Sequence, residues 1–191
     1  PAPIAPVVSA GAQAAQAALV DQWNKLVAKG RIEVAQAAAF AGRLHPVTEM
    51  AALADCDLVV EAIVERLDVK QKLFAQLESV VRPEAVLATN TSSLSVTAIG
   101  ATLQRPARLA GFHFFNPVPL MKVVEVIAGL KTDGAICVAL ADYARQMGHT
   151  PVQAQDTPGF IVNHAGRGFG TEALRIVSEG VADFATIDRI L

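Results

Sequence analysis

The sequence predicts an α/β fold built on a mostly parallel sheet, and three features carry that prediction. Short apolar runs alternate with helix-patterned segments along most of the chain. The runs are apolar throughout, as in strands buried on both faces, and do not alternate residue by residue. Gly or Pro stands at nearly every change of pattern. Such an alternation packs helices over both faces of one sheet. Composition permits it: 52% of the 191 residues are hydrophobic and 18% are charged, which is too apolar for disorder.

Each element follows from its own residues. Pro1, Pro3, Pro6 and Gly11 disfavour a helix over residues 1–11, where Val7 and Val8 could close an edge strand. Residues 12–28 are rich in Ala, Gln, Leu and Lys and predict a helix stopped at Gly30. A second, Ala-rich helix over 33–41 ends at Gly42, completing a helical hairpin. His45-Pro46-Val47 reads as a short strand and 49–54 as a helical turn. A strand over 57–63 precedes an amphipathic helix over 67–81, with Leu67, Leu73, Phe74, Leu77 and Val81 on one side. Residues 85–90 form the next strand and 96–103 a short helix. Strands over 109–115 and 123–127 follow, then a helix over 133–147 stopped by Gly148, and a strand over 150–154. Beyond Asp156-Thr157-Pro158-Gly159 the pattern turns wholly helical, over 160–178 and again from 186 to 191. The expected boundary therefore divides a sheet domain, 1–156, from a helical region, 157–191.

Several functions are disfavoured by the totals. Net charge is -2 and the 16 basic residues are scattered, so nothing suggests nucleic acid. No apolar run reaches the ~18 residues that span a bilayer, and the start lacks a signal-peptide pattern. Cys56 and Cys137 are far apart without metal-ligand spacing. They read as small buried residues in a reducing, cytoplasmic setting, with no metal expected.

Chemistry concentrates between residues 108 and 127. His113 lies near the end of one strand and Glu125 within the next, joined by the loop containing Asn116-Pro117-Val118-Pro119. A carboxylate beside an imidazole is how a general base is oriented, although His113 alone reads more readily as a satisfied strand-end histidine. The strand ends are polar: Val64-Glu65, then Asn90-Thr91-Ser92-Ser93, then Asn116. Ligands of open α/β sheets gather at carboxyl ends of strands, so these loops suggest a crevice for a nucleotide-like cofactor. A G-x-G-x-x-G loop is missing, and the glycines of 166–170 fall inside a predicted helix, where they read as packing. No G-x-S-x-G elbow surrounds Ser92, which disfavours a serine nucleophile. Lys25, Lys29 and Arg31 form either a solvated face or a grip on an anionic ligand.

Five strings in order, DLVVEAIVE (57–65), NTSSL (90–94), GFHFFNPVPLMK (111–122), VEV (124–126) and DTPGFIVN (156–163), resemble the 3-hydroxyacyl-CoA dehydrogenase family. The pattern is most like bacterial 3-hydroxybutyryl-CoA dehydrogenases, including those of phenylacetate-type catabolism, and covers the chain from about Ala14 onward. The resemblance implies a Rossmann-like NAD-binding domain over 1–156, N-terminally incomplete because the glycine loop is missing. It implies the start of a helical dimerisation domain over 157–191, so that the 191 residues are an internal portion of such an enzyme.

The implied activity is NAD-dependent oxidation of an L-3-hydroxyacyl-CoA to the 3-oxoacyl-CoA, in fatty-acid or aromatic-acid catabolism, by a homodimer when full length. By match to the family, His113 is the general base and Glu125 its orienter. Ser92 bonds the substrate oxygen beside the cofactor, and Asn163 polarises the C3 oxygen. Glu65 and Lys70 match positions that contact the nicotinamide-side ribose and phosphates, with Asn90 nearby. Asn116 matches an acyl-CoA contact, and Lys29 a contact to the CoA phosphates. Without the glycine loop, the chain alone is expected to bind NAD weakly and to be inactive. The alternatives are a non-catalytic acyl-CoA-binding remnant and a related sugar-acid dehydrogenase.

Overall fold

A computed structural model describes residues 9–190, so the expected edge strand at Val7-Val8 and the final residue, Leu191, lie outside the described part. The chain divides into two units. One comprises the residues up to Cys56 together with Gln76–Pro83; the other comprises Asp57–Ala75 and everything from Glu84 onward.

In the first unit, α1 (Ser9–Ala28) and α2 (Val34–Ala41) form the expected hairpin. The α1 helix takes in Gly11, against expectation; one glycine costs about 1 kcal/mol in a helix, which a long alanine-rich segment tolerates. It stops at Gly30, where φ is 64° and the Arg31 N–H donates to the Leu26 carbonyl. Trp23 and Phe40 join the two helices, ring centroids 5.5 Å apart. The strand expected at His45-Pro46-Val47 does not form. Pro46 supplies no N–H, and among the described residues no strand pairs with this segment. The helical turn expected over 49–54 is a 3-10 helix, Met50–Leu53.

The second unit is built on one sheet in the order β1 (Leu58–Glu61), β2 (Val86–Thr89), β3 (Leu109–Phe114), β4 (Val123–Ala128), β5 (Thr150–Gln155). Strands β1, β2 and β3 are parallel, β3 and β4 antiparallel, and β4 and β5 parallel. The helices are α3 (Leu67–Val80, of which the part from Gln76 is counted with the first unit), α4 (Val96–Gly100), α5 (Gly134–Gln146), α6 (Val162–Ser178) and α7 (Phe184–Ile190). This is the expected Rossmann-like, mostly parallel architecture. The antiparallel step follows from the 115–122 connection, shorter than the dozen or so residues a parallel crossover requires.

Side-chain alternation assigns the two faces of the sheet. Ala110, Phe112, Val124 and Val126 pack with Cys137, Leu140, Ala141 and Ala144 of α5. The other face carries Gly111, His113, Glu125 and Ile127 beneath α4. A Cβ on Gly111 would lie 2.8 Å from the Ile127 Cβ and 3.1 Å from the Val96 Cγ2, so only glycine fits. The long terminal helix begins at Val162, later than the expected 160, because residues before it turn sharply: φ is 75° at Gly159 and 48° at Phe160.

Candidate active site

The antiparallel register sets His113 directly opposite Glu125, on the same face. The His113 Nδ1 lies 2.7 Å from the Glu125 Oε2, and both side chains are buried. An ionised carboxylate only accepts, so this contact places the proton on Nδ1 and leaves Nε2 as the basic nitrogen. The second Glu125 oxygen accepts from the Ile161 and Val162 N–H groups, at 2.9 Å each. Those are N–H groups at the entry to α6, which have no partner inside the helix. Glu125 thus holds the imidazole and the entry to α6 together. The Phe115 and Phe160 rings flank His113, with centroids 4.5 and 5.8 Å from its own.

A second cluster lies at the carboxyl ends of β1 and β2. Glu61 and Lys70 are fully buried and their charged groups meet at 2.6 Å. Burial of two charges is tolerated only when every polar atom finds a partner. Glu61 meets the condition by accepting also from the Thr89 hydroxyl, at 2.7 Å, and the Ile63 N–H, at 2.6 Å. Lys70 also reaches the Glu65 Oε2 at 3.3 Å and the Ile63 carbonyl at 3.5 Å. The other Glu65 oxygen accepts from the Thr91 hydroxyl at 2.5 Å and the Ser92 N–H at 2.9 Å. Partial burial pushes the Glu65 carboxyl up, but the hydrogen bonds from Thr91, Ser92 and Lys70, with the Lys70 charge, outweigh it and hold the group below the ordinary carboxylate range.

The clusters meet at Ser92, whose backbone carbonyl accepts from the Asn163 side-chain amide at 3.3 Å. Asn90 accepts from the Phe114 N–H at 2.8 Å, fixing the end of β3 just past His113. The structure therefore brings His113, Glu125, Ser92, Asn163, Glu65, Lys70 and Asn90 into one connected set. Asn116 is exposed on the β3–β4 loop, where the Asn116–Pro117 peptide is cis. Lys29 is exposed on the α1–α2 hairpin of the first unit. Sequence reasoning passed over Glu61, Thr89, Thr91, Asp156 and Phe160. A charge inside the apolar run DLVVEAI was the available signal for Glu61, since buried charges are paired.

The Glu65 side chain is 38% exposed, whereas Lys70 is 1% exposed and supports Glu65 from behind. Thr91, Ser92 and Asn90 complete a polar rim at the same strand ends. A glycine-rich cradle for the pyrophosphate is not among the 191 residues.

A mostly parallel sheet with polar loops at the carboxyl ends of β1, β2 and β3 is the class of α/β fold that binds ligands at that edge. Residues 5–157 match the family described as "3-hydroxyacyl-CoA dehydrogenase, NAD binding domain". The chain is 46% identical over 168 residues to the 3-hydroxyadipyl-CoA dehydrogenase of Escherichia coli (strain K12), covering 88% of this chain and 35% of that protein. It is 44% identical over 168 residues to a probable 3-hydroxybutyryl-CoA dehydrogenase of Deinococcus radiodurans, covering 88% of this chain and 60% of that one. The crystal structure of (S)-3-hydroxybutyryl-CoA dehydrogenase PaaH1 from Ralstonia eutropha superposes with a TM-score of 0.88, at 33% identity, over 93% of this chain and 62% of its own. The chain belongs to the 3-hydroxyacyl-CoA dehydrogenase family and carries its NAD-binding domain. It spans between about a third and three fifths of the length of these relatives.

Proposed function

We propose that this chain forms the proton-transfer half of an NAD-dependent L-3-hydroxyacyl-CoA dehydrogenase, and that the full-length protein oxidises substrates such as 3-hydroxybutyryl-CoA. The observation that carries this reading is the buried His113–Glu125 pair, with Nδ1 bonded to the carboxylate and Nε2 left basic. The chemistry that NAD supplies when bound is acceptance of the hydride from C3 of the substrate. His113 takes the proton of the 3-hydroxyl at Nε2, and Glu125 stabilises the resulting imidazolium. The Ser92 hydroxyl and Asn163 amide orient the C3 oxygen, a reading supported by the bond from the Asn163 amide to the Ser92 backbone carbonyl, which sets the two residues side by side. Glu65 holds the ribose, Lys70 fixes Glu65, and Asn90 and Ser92 line the nicotinamide side.

Asn116 contacts the acyl-CoA and Lys29 its phosphates, roles supported by the family match alone. Residues 157–191 begin a helical dimerisation domain. Its support is the apolar surface α6 and α7 leave exposed, including Phe169, Leu174 and Phe184. A cytoplasmic setting in fatty-acid or aromatic-acid catabolism completes the reading; Cys56 and Cys137 are free thiols, and among the described residues no helix is long and apolar enough to cross a membrane.

The test is a substrate panel on the full-length protein. Acetoacetyl-CoA is expected to be reduced with NADH and a 3-oxo sugar acid left untouched. Absence of turnover with every 3-oxoacyl-CoA offered would overturn the proposal and favour a binding remnant.

A further inference from the structure

Asp156 follows the last strand, yet its carboxylate is spent on a segment some sixty residues earlier. It accepts from the Ser95 hydroxyl at 2.7 Å, the Val96 N–H at 2.9 Å and the Thr97 N–H at 2.8 Å. Two of these are N–H groups at the start of α4, which lack partners inside their own helix. The loop preceding α4 is thereby held by two carboxylates: Glu65 grips Thr91 and Ser92 at one end, and Asp156 grips Ser95, Val96 and Thr97 at the other.

The segment leaving Asp156 is fixed with equal care. Gln155 pairs with Ala128, whereas Ile161 bonds to Glu125, so residues 156–161 run back along β4 toward the dyad. Gly159 turns with φ at 75°, and a Cβ there would approach the His164 backbone nitrogen to 3.2 Å. Phe160, at φ 48°, accepts a conformation that L-residues rarely adopt and buries its ring against His113. Asn163 lies two residues past Ile161. Asp156 therefore touches the Ser92 loop directly and leads into Asn163 through a segment of fixed length.

We infer that Asp156 is a positioning residue that sets the placement of Ser92 relative to Asn163 without touching substrate or cofactor. The inference rests on the proposed dehydrogenase activity for its kinetic consequence, but its structural consequence is independent of that activity. Asparagine at 156 would keep one accepting oxygen and turn an N–H₂ toward donors, so the loop and the α6 entry would drift apart. A misplacement near 1 Å at a reacting centre lowers turnover by about 100-fold.

The experiment uses the full-length protein with Asp156→Asn and Asp156→Glu, and reads two quantities. The first is amide hydrogen exchange at Ser92 and Ser93. It is expected to quicken about tenfold or more in Asp156→Asn beyond what the measured change in global stability accounts for, because the loop loses one of its two anchors. The second is acetoacetyl-CoA reduction normalised to folded enzyme. A kcat loss of about 30- to 100-fold is expected, with KM for acyl-CoA and NADH within threefold, and partial recovery in Asp156→Glu. Unchanged Ser92 and Ser93 exchange, or kcat within twofold of wild type, would overturn the inference. So would a loss that tracks the folded fraction alone, with Asp156→Glu no better than Asp156→Asn. A wild-type protein that reduces no 3-oxoacyl-CoA while Asp156→Asn still quickens the exchange would sink the dehydrogenase reading and leave the positioning role standing.

Discussion

Glu125 shows how much one side chain is asked to do. One oxygen orients His113; the other accepts both N–H groups that open α6. Glutamine there can keep its carbonyl toward the α6 N–H groups and turn its N–H₂ to Nδ1, which then accepts and shifts the imidazole to the tautomer whose Nε2 carries the proton. Glu125→Gln should therefore impair the base chiefly through the tautomer, with a stability loss of only about 1 kcal/mol from exchanging charge-assisted for neutral hydrogen bonds, read as a slightly lower urea midpoint. At Lys70 a full buried charge is involved. Lys70→Met strands the buried Glu61 carboxylate and should cost about 3–5 kcal/mol in urea unfolding. Adding Glu61→Gln to that variant should recover part of the loss. Full additivity of the two single changes would contradict the pairing seen at 2.6 Å.

At the scale of elements, packing is decided by backbone approach. Because the Gly111 Cα faces Ile127 and Val96 with no room for a Cβ, Gly111→Ala should destabilise the sheet by about 1–3 kcal/mol, measurable by thermal or urea melts. The α4–β5 tie makes a pH prediction. Burial pushes the Asp156 carboxyl up, but hydrogen bonds from Thr97, Ser95 and Val96 outweigh it and leave the group below its ordinary value. Its contribution to stability is then fully present above the unfolded pKa of about 3.9 and is lost as pH falls through the lower folded value. Wild type should exceed Asp156→Asn in urea midpoint at neutral pH, and the gap should narrow progressively as pH falls below about 3.9. A gap of constant size across that range would show that the carboxylate's charge is not what stabilises the tie.

Strands β1 to β4 were legible because each is a largely apolar run closed by a breaker, and the helix stops at Gly30, Gly148 and Gly180 because each has a positive φ. His45-Pro46-Val47 misled because a short apolar triplet carries strand composition without a partner strand. The onset of α6 misled because propensity cannot reveal that Gly159 and Phe160 leave helical space.

At the scale of the whole molecule, two kinds of site residue separate. His113 and Glu125 were singled out because adjacent strands carry an imidazole and a carboxylate, and Ser92 and Asn163 because they stand in strings that resemble the family. Glu61 was passed over although its charge inside an apolar run was a signal, whereas Asp156 was not legible because its Ser95 partner lies 61 residues away and only folding joins them. The cofactor side divides likewise. Glu65 is the residue proposed to hold a ribose, but the 191 residues hold no glycine loop to cradle a pyrophosphate. Titration calorimetry of this chain alone should show weak or no NAD binding, and tight binding would mean that another set of N–H groups serves the phosphates.

The central claim is that His113, oriented by Glu125, carries the substrate's proton. It is tested most directly by turnover of acetoacetyl-CoA with NADH in the full-length protein, comparing wild type with His113→Gln and Glu125→Gln. The expected result is a kcat loss of about 10²–10⁴-fold in both variants with NADH binding retained. Turnover within a few-fold of wild type in both would contradict the assignment of the pair.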